Sequence, residues 1–325
     1  LSVLSAVYGR VARLRRSWYE QRPHARRRLA RPVISVGNLV VGGSGKTPVV
    51  AALARLLREM GERPAVLSRG YGRRRGNDGV LVVSDGERVL EPVERSGDEP
   101  QLLARALTGT PILVSPDRYL AGTIAERRFG CTVLLLDDGF QHVQLERTVD
   151  LLLVSTADLG ERVLPSGRLR ENLDAARVAD ALLVPGSTED VARVSSALGV
   201  APGFRIETHF GDLRPLCDDE VTPSRGNGAK VVAVAGIARP ERFFRALRQQ
   251  GWNVVSEMAF SDHHWYTPKD LASINDVAQG VGARTVVTTE KDAVRIGETA
   301  WWAVLPMHVT IEPVEQFTTW LRARL

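Results

Sequence analysis

Val33-Ile34-Ser35-Val36-Gly37-Asn38-Leu39-Val40-Val41, running directly into Gly42-Gly43-Ser44-Gly45-Lys46-Thr47, is the stretch that decides the fold. An apolar run that stops at glycines, before a helix-competent segment from Pro48 to Met60, reads as strand, loop and helix. Glycines let successive backbone N–H groups turn inward around phosphate oxygens, and the helix N-terminus adds favourable partial charge. In such a loop Gly42, Gly43, Ser44 and Gly45 form the cradle, Lys46 reaches the β/γ-phosphates and the Thr47 hydroxyl ligates Mg²⁺. The generic motif carries Gly six residues before the lysine, where this chain has Val40. Lysine usage reinforces the reading: Lys46, Lys230, Lys269 and Lys291 are the only lysines beside 39 arginines, so an Arg-biased chain has kept Lys here.

A phosphoryl-transfer site also needs an acidic group at the end of a buried strand to orient a metal. Thr132 to Leu136 is such a strand, and Asp137-Asp138-Gly139 follows it. Apolar residues and then a carboxylate at the strand's C-terminal edge bring Asp137 and Asp138 beside the phosphate loop in a doubly wound sheet.

Strands continue to alternate with helices. Ala65–Leu67, Leu81–Ser84, Pro111–Val114, Val149–Val154 and Ala181–Val184 read as strands. Gln101–Leu107 and Leu120–Phe129 read as helices. This alternation means a parallel sheet covered on both faces. From about residue 204 to 228 the pattern breaks into scattered Gly, Pro and Asp, and afterwards it restarts: strands at 230–235, 252–257 and 285–288, helices at 241–250, 268–279 and 314–325. The expected organisation is a basic arm (1–31), a phosphate-loop core (32–203), a linker (204–228) and a C-terminal α/β lobe (229–325).

The chain has 325 residues, 44% of them hydrophobic and 25% charged, which excludes disordered and collagen-like classes. Its two cysteines, Cys131 and Cys217, cannot form a disulfide framework or a zinc site by themselves and suggest reduced thiols. No apolar run reaches spanning length. The net charge of +5 is unevenly spread: residues 1–31 hold nine arginines and one acid, Glu20, so the arm carries +8 and the rest −3. A uniformly basic nucleic-acid binder is therefore not expected. Leu4, Val7, Val11, Leu14 and Trp18 share one helical stripe with Arg10, Arg13 and Arg16 off it. That pattern fits a helix lying on an anionic membrane surface or, equally, one packed on its own domain. A cleaved signal peptide is not expected, because the basic residues follow the apolar stretch.

Further polar clusters stand outside the sheet pattern: Ser68-Arg69-Gly70-Tyr71-Gly72-Arg73, Ser96-Gly97-Asp98-Glu99-Pro100, Gln141-His142, Gly167-Arg168-Leu169-Arg170-Glu171 and Phe260-Ser261-Asp262-His263-His264. Adjacent histidines diverge on either helix or strand, so a His paired with a carboxylate is expected rather than a two-His metal site.

Together with Gly236-Ile237-Ala238-Arg239-Pro240 and Thr289-Glu290-Lys291-Asp292, these motifs make the chain resemble, nearly end to end, the tetraacyldisaccharide 4′-kinases of lipid A synthesis. Val40 looks normal for that family. The resemblance implies a P-loop NTPase-type α/β/α sandwich with a second, smaller α/β/α lobe joined by a short β linker. It implies an ATP- and Mg²⁺-dependent kinase that phosphorylates the 4′-hydroxyl of an anionic acylated glucosamine disaccharide 1-phosphate. The enzyme would work at the cytoplasmic face of the bacterial inner membrane, held there by its N-terminal segment, with no nucleic acid and no obligate protein partner. Carried over by motif, Asp98 looks like the catalytic base, assisted by His263 in preference to His264. Arg118 and Arg170 look like charge stabilisers beside Lys46, Tyr71 like a nucleotide or substrate contact, and Thr47, Asp137, Asp138 and Glu171 like the metal shell. Two alternatives remain beside it. One is a P-loop GTPase or metal-chaperone ATPase, although Glu290-Lys291-Asp292 lacks the Asn-Lys-x-Asp spacing of guanine selection. The other is a non-catalytic nucleotide-binding protein of the membrane surface.

Overall fold

The deciding stretch becomes the centre of the larger of two sheets in the computed structural model, which describes residues 2–43, 45–70, 79–217 and 228–325. In chain order the first elements are α1 (Ser2–Glu20), β1 (Val33–Asn38), α2 (Lys46–Glu59), β2 (Pro64–Ser68) and β3 (Leu81–Ser84). There follow α3 (Val93–Ser96), α4 (Asp98–Ala106), β4 (Ile112–Val114), α5 (Arg118–Phe129), β5 (Val133–Asp137) and β6 (Val149–Leu153). Then come β7 (Ala181–Pro185), α6 (Thr188–Leu198), β8 (Gly203–Phe210), β9 (Arg214–Pro215), β10 (Lys230–Ala235) and α7 (Pro240–Gln249). The chain closes with β11 (Asn253–Ala259), α8 (Pro268–Gly280), β12 (Thr285–Thr289), α9 (Glu290–Ile296), β13 (Trp302–Leu305), β14 (Met307–Glu312) and α10 (Val314–Arg322).

The large sheet has the order β14-β8-β7-β6-β1-β5-β2-β4-β3, parallel except for its two edge strands. β1 and β5 are neighbours in parallel register, with Val36 opposite Asp137, so the phosphate loop and the paired aspartates leave the sheet side by side. From β1 the chain moves past β5 to β2, and from β5 it crosses to β6 on the other side of β1. Crevices outside the carboxyl ends of strands at such a reversal are where open α/β sheets bind ligands. Alternate side chains of the strands feed separate cores, as the two-residue strand period requires. Ile34, Val36, Val133 and Leu135 pack with Val49, Val50, Leu53 and Leu57 of α2. Leu134 and Leu136 instead pack with Ala121 and Ala125 of α5.

The small sheet has the order β11-β10-β12-β13-β9. Val231, Ala233 and Ala235 meet Phe243, Phe244 and Leu247 of α7, while Val232 and Val234 meet Ile274 and Ala278 of α8. The fold is thus the expected α/β/α sandwich with a second, smaller α/β/α lobe.

The expected domain limits need correction at the C-terminal side. β14 pairs antiparallel with β8 along the edge of the large sheet, and α10 inserts Phe317 and Leu321 into the first lobe's core. The chain therefore passes between lobes twice, after β8 and again after β13, and the Gly211 N–H donates to the Pro306 carbonyl where the two passages meet (3.0 Å). Residues 204–210, expected in the linker, are a strand of the large sheet, and residues 307–325 belong to the first lobe. Polar residues (Arg205, Glu207, Thr208, His209) thin out the apolar pattern within β8 because its environment near the sheet edge is half-buried, and the scattered Gly, Asp and Pro begin only after it, at Gly211.

Candidate active site

The phosphate loop is built by β1 and α2. Gly42 and Gly45 adopt φ of 93° and 84°, left-handed conformations open to glycine at little cost. Gly45 is also the residue before α2, so the loop delivers Lys46 at the first position of the helix. Lys46 donates to the Asn38 side-chain oxygen (3.0 Å) and lies 3.3 Å from the Asp138 carboxylate. Asn38 donates in turn to the Val40 carbonyl (2.8 Å), and Gln141 donates to the Asn38 carbonyl (2.9 Å). Gly37 carries no side chain because a Cβ there would overlap Phe140. Ser44 and Tyr71, expected in the cradle and at the nucleotide, lie outside the described residues.

Asp137 is the last residue of β5, 2% exposed, and the Ser68 hydroxyl donates to it weakly at 3.4 Å. Burial, and then the neighbouring carboxylates of Glu99 and Asp138, push its pKa up to about 7 against the pull of Lys46 and Arg118. Asp138 has the opposite fate. Burial would raise its pKa, but Lys46 and Arg170 outweigh it and hold the carboxyl below the ordinary range. Arg170 bonds both oxygens of Asp138 (3.0 and 2.8 Å) and reaches Gln141 (3.3 Å). Asp138 itself has a φ of 54°, an uncommon conformation for a residue other than glycine.

Arg118 opens α5 and is 4% exposed. Burial and the adjacent Arg69 guanidinium lower its pKa to about 10, partly opposed by Asp137 and Asp138. Its Nε, buried, has no hydrogen-bond partner among the described residues. A buried cation with an unmet donor beside the phosphate loop is suited to an anionic oxygen.

Asp98 comes from the first turn of α4, after Gly97 with a φ of 87°. Across the gap between lobes, His263 Nδ1 lies 3.0 and 3.2 Å from its two oxygens. Lys291 Nζ lies 3.3 Å from His263 Nε2 and 3.6 Å from Asp98, and Arg295 donates to Asp98 as well. Burial would raise the Asp98 pKa, yet the His263 hydrogen bond and then the Lys291 and Arg295 charges hold it far below the carboxylate range. His264 faces away: its Nε2 is 3.3 Å from Asp270, and its ring stacks on Phe260. Of the two histidines, His263 is the one that meets Asp98.

Glu171, expected among the metal ligands, is held by Arg16 of α1 in a two-pronged ion pair (2.6 and 2.7 Å), with both side chains buried. Lys291, Arg295, Glu99, Asn38, Gln141 and Arg16, to which no motif assigns a role, also contact or bias these residues. Lys291 had a signal, being one of four lysines; Arg295 and Arg16 had none among 39 arginines.

A phosphate loop at the switch point of a parallel sheet, with the paired aspartates of the neighbouring strand end beside it, defines the class as a P-loop phosphotransferase. The Tetraacyldisaccharide-1-P 4′-kinase (LpxK) family profile matches residues 1–325. The Tetraacyldisaccharide 4′-kinase of Pelobacter propionicus is 43% identical over 295 residues, covering 90% of this chain and 81% of that protein. The enzyme of the same name from Geobacter sulfurreducens is 40% identical over 315 residues, 96% of this chain and 87% of that one. The crystal structure of LpxK from Aquifex aeolicus, in complex with ATP, superposes with a TM-score of 0.83 at 33% identity, covering 100% of this chain and 98% of that one. The chain belongs to the tetraacyldisaccharide-1-phosphate 4′-kinase family.

Proposed function

We propose that this enzyme transfers the γ-phosphate of ATP to the 4′-hydroxyl of an acylated glucosamine disaccharide 1-phosphate, with Asp98 as base. The family supports the reaction, and the observation that carries the role of Asp98 is its pairing with His263 across the lobes, one residue from Glu99, whose charge reaches Asp137. Asp98 accepts the acceptor hydroxyl proton as the oxygen bonds to the γ-phosphorus and the bond to the ADP oxygen breaks. His263 orients the carboxylate and, with Lys291 and Arg295, keeps it ionised before transfer. Lys46, Arg118 and Arg170 supply positive charge where the transferred group gains charge. The GTPase and non-catalytic alternatives have no comparable support.

The residues present fit a divalent cation. Asp137 is a buried carboxylate at a strand end, crowded by Glu99 and Asp138, and a cation there would relieve the repulsion that raises its pKa. Thr47 at the second position of α2, with Asp137 and Asp138, would hold Mg²⁺, which would supply positive charge to offset that developing on the transferred group.

The acceptor is anionic and lipid-borne, and α1 suits it to a membrane surface. Val3, Leu4, Val7, Val11 and Leu14 are 56–74% exposed, so the apolar stripe faces solvent instead of the enzyme's own core. Among the described residues no helix is long and apolar enough to cross a membrane. We assign the enzyme to the cytoplasmic face of the inner membrane, lying on it through α1. Incubation with γ-labelled ATP and acylated disaccharide 1-phosphate should move label into the lipid; an unlabelled lipid with intact ATP would overturn the reading.

A further inference from the structure

α1 has two working faces. Opposite the exposed apolar stripe, Ser5, Gly9, Arg13 and Arg16 recur at helical spacing and dock on the segment before and after Arg170. The Ser5 hydroxyl donates to the Ser166 hydroxyl (2.7 Å), a Cβ on Gly9 would press on Asn172, and Arg13 pairs with Asp174 (2.6 Å). Arg16 goes deepest. It is 6% exposed, grips both oxygens of Glu171, donates to the Phe140 carbonyl (3.1 Å) and lies 4.4 Å over the Phe140 ring. Beside it Arg15 donates to the Gln141 carbonyl (3.1 Å).

The partners of Arg16 flank a pair at the phosphate site. Phe140 lies two residues after Asp138, and Glu171 lies one residue after Arg170. Asp138 and Arg170 are themselves bonded to each other, and Asp138 contacts Lys46. One guanidinium thus ties the loop carrying Asp138 to the loop carrying Arg170. A planar fork that satisfies a carboxylate with two donors and a carbonyl with a third fixes orientation better than a point charge. The Asp138 backbone, at φ 54°, needs such external restraint to stay in place.

We propose that Arg16 is a positioning residue for phosphoryl transfer, and that α1 is a structural part of the active site as well as its membrane-facing surface. Resting on the kinase reading above, this makes the geometry of Asp138 and Arg170 dependent on α1 being docked. Loss of Arg16 then damages turnover even where no membrane has to be found. It leaves nucleotide affinity largely intact, because the phosphate loop and α2 are anchored separately in the first-lobe core.

The full-length enzyme, Arg16→Ala, Arg16→Lys and Glu171→Gln are compared with acceptor dispersed in detergent micelles, following kcat, the KM for ATP and the thermal melt. We expect kcat to fall at least tenfold in Arg16→Ala and less in Arg16→Lys, with the ATP KM within threefold of wild type. Combining Arg16→Ala with Glu171→Gln should cost less than the product of the single effects, since the two residues act as one unit. A folded Arg16→Ala with kcat within twofold of wild type overturns the proposal. If Arg16→Ala does not fold, Arg16→Lys and Glu171→Gln decide: unchanged kcat in both overturns it. A wild-type enzyme that leaves the lipid unlabelled overturns the kinase reading instead, so the two failures are distinct.

Discussion

His263 Nδ1 stands 3.0 Å from Asp98 Oδ2, and the two residues belong to different lobes. The proposed base and the histidine proposed to orient it therefore meet only when the lobes are in register, held by the paired passages after β8 and β13. Asp98→Asn should lower transfer to the lipid acceptor by about 10²–10⁴-fold, the usual worth of a positioned base, with ATP affinity within threefold of wild type. His263→Ala should cost less. The double variant should be no slower than Asp98→Asn alone, since orientation has no value without a base. Steady-state kinetics with labelled ATP and equilibrium nucleotide binding check this; a double variant much slower than Asp98→Asn would give His263 an independent role.

Lys291 lies 3.6 Å from Asp98 and is one of the charges that depress its pKa. Since the folded pKa is lowered, Asp98 is ionised throughout the working range and adds no acid limb to kcat/KM above about pH 4, where ordinary carboxylates titrate. The same sign applies to stability: the contribution is present above the unfolded carboxyl pKa and is lost as pH falls through the folded one. Removing one opposite charge raises the folded pKa, so Lys291→Met should lower the melting temperature at pH 7 and lower it by less at pH 3, where the unfolded carboxyl is protonated. A loss of equal size at both values would remove Lys291 from that role.

The central half of this architecture is readable from residues alone because its signals are local. β1, the glycines and α2 follow each other in fifteen residues, and β5 is an unbroken apolar run ending in acids. β8 and β14 were missed for a physical reason: they form a two-stranded edge, alternating buried and half-exposed, and pair across about a hundred residues of sequence. The site divides likewise. Lys46, Asp137 and Asp138 announce themselves through strand ends and loop chemistry, whereas the meeting of Asp98 with Arg295 depends on the packing of α4 against α9. Glu171 shows the limit most clearly. Its neighbours in sequence point to the phosphate site, but its side chain is claimed by Arg16, a residue 155 positions away.

Glu99 is the second cause, after burial, of the raised pKa of Asp137. A carboxyl with a raised folded pKa favours the folded state while protonated, and that advantage is lost as pH rises through about 7. Glu99→Gln removes the repulsion that grows in this window. The variant should therefore gain melting temperature relative to wild type at pH 8 and show little gain at pH 5, with no metal added. Paired thermal melts at the two values decide it, and an equal shift at both would separate Glu99 from the titration of Asp137.

Phe317 of α10 is fully buried in the first lobe, with its ring 5.0 Å from that of Phe204 on β8 and 5.9 Å from that of Trp320. Phe317→Ala removes this contact and leaves a cavity, at a cost of about 3–5 kcal/mol. If residues 307–325 belong to the first lobe, ligands of that lobe should feel the change. Saturating nucleotide binds the folded first lobe and should recover part of the lost melting temperature by mass action. Calorimetric scans with and without ATP test this. A destabilisation confined to a separate transition that ATP does not move would return α10 to the second lobe.

Leu4, Val7, Val11 and Leu14 lie on the face of α1 turned away from Arg16. Replacing the four by serine removes apolar surface without touching the docked side, so it separates membrane capture from active-site support. Each buried apolar side chain contributes about 1.5–3 kcal/mol when transferred from water, enough together to abolish a weak interfacial attachment. The variant should lose sedimentation with anionic phospholipid vesicles, and its activity on vesicle-borne acceptor should fall at least tenfold more than its activity on the same acceptor in micelles. Wild-type binding should weaken with salt, because the arm carries +8 within residues 1–31. Vesicle partitioning that survives the four substitutions would show that another surface carries the enzyme to its substrate, leaving α1 with its support of Asp138 and Arg170 alone.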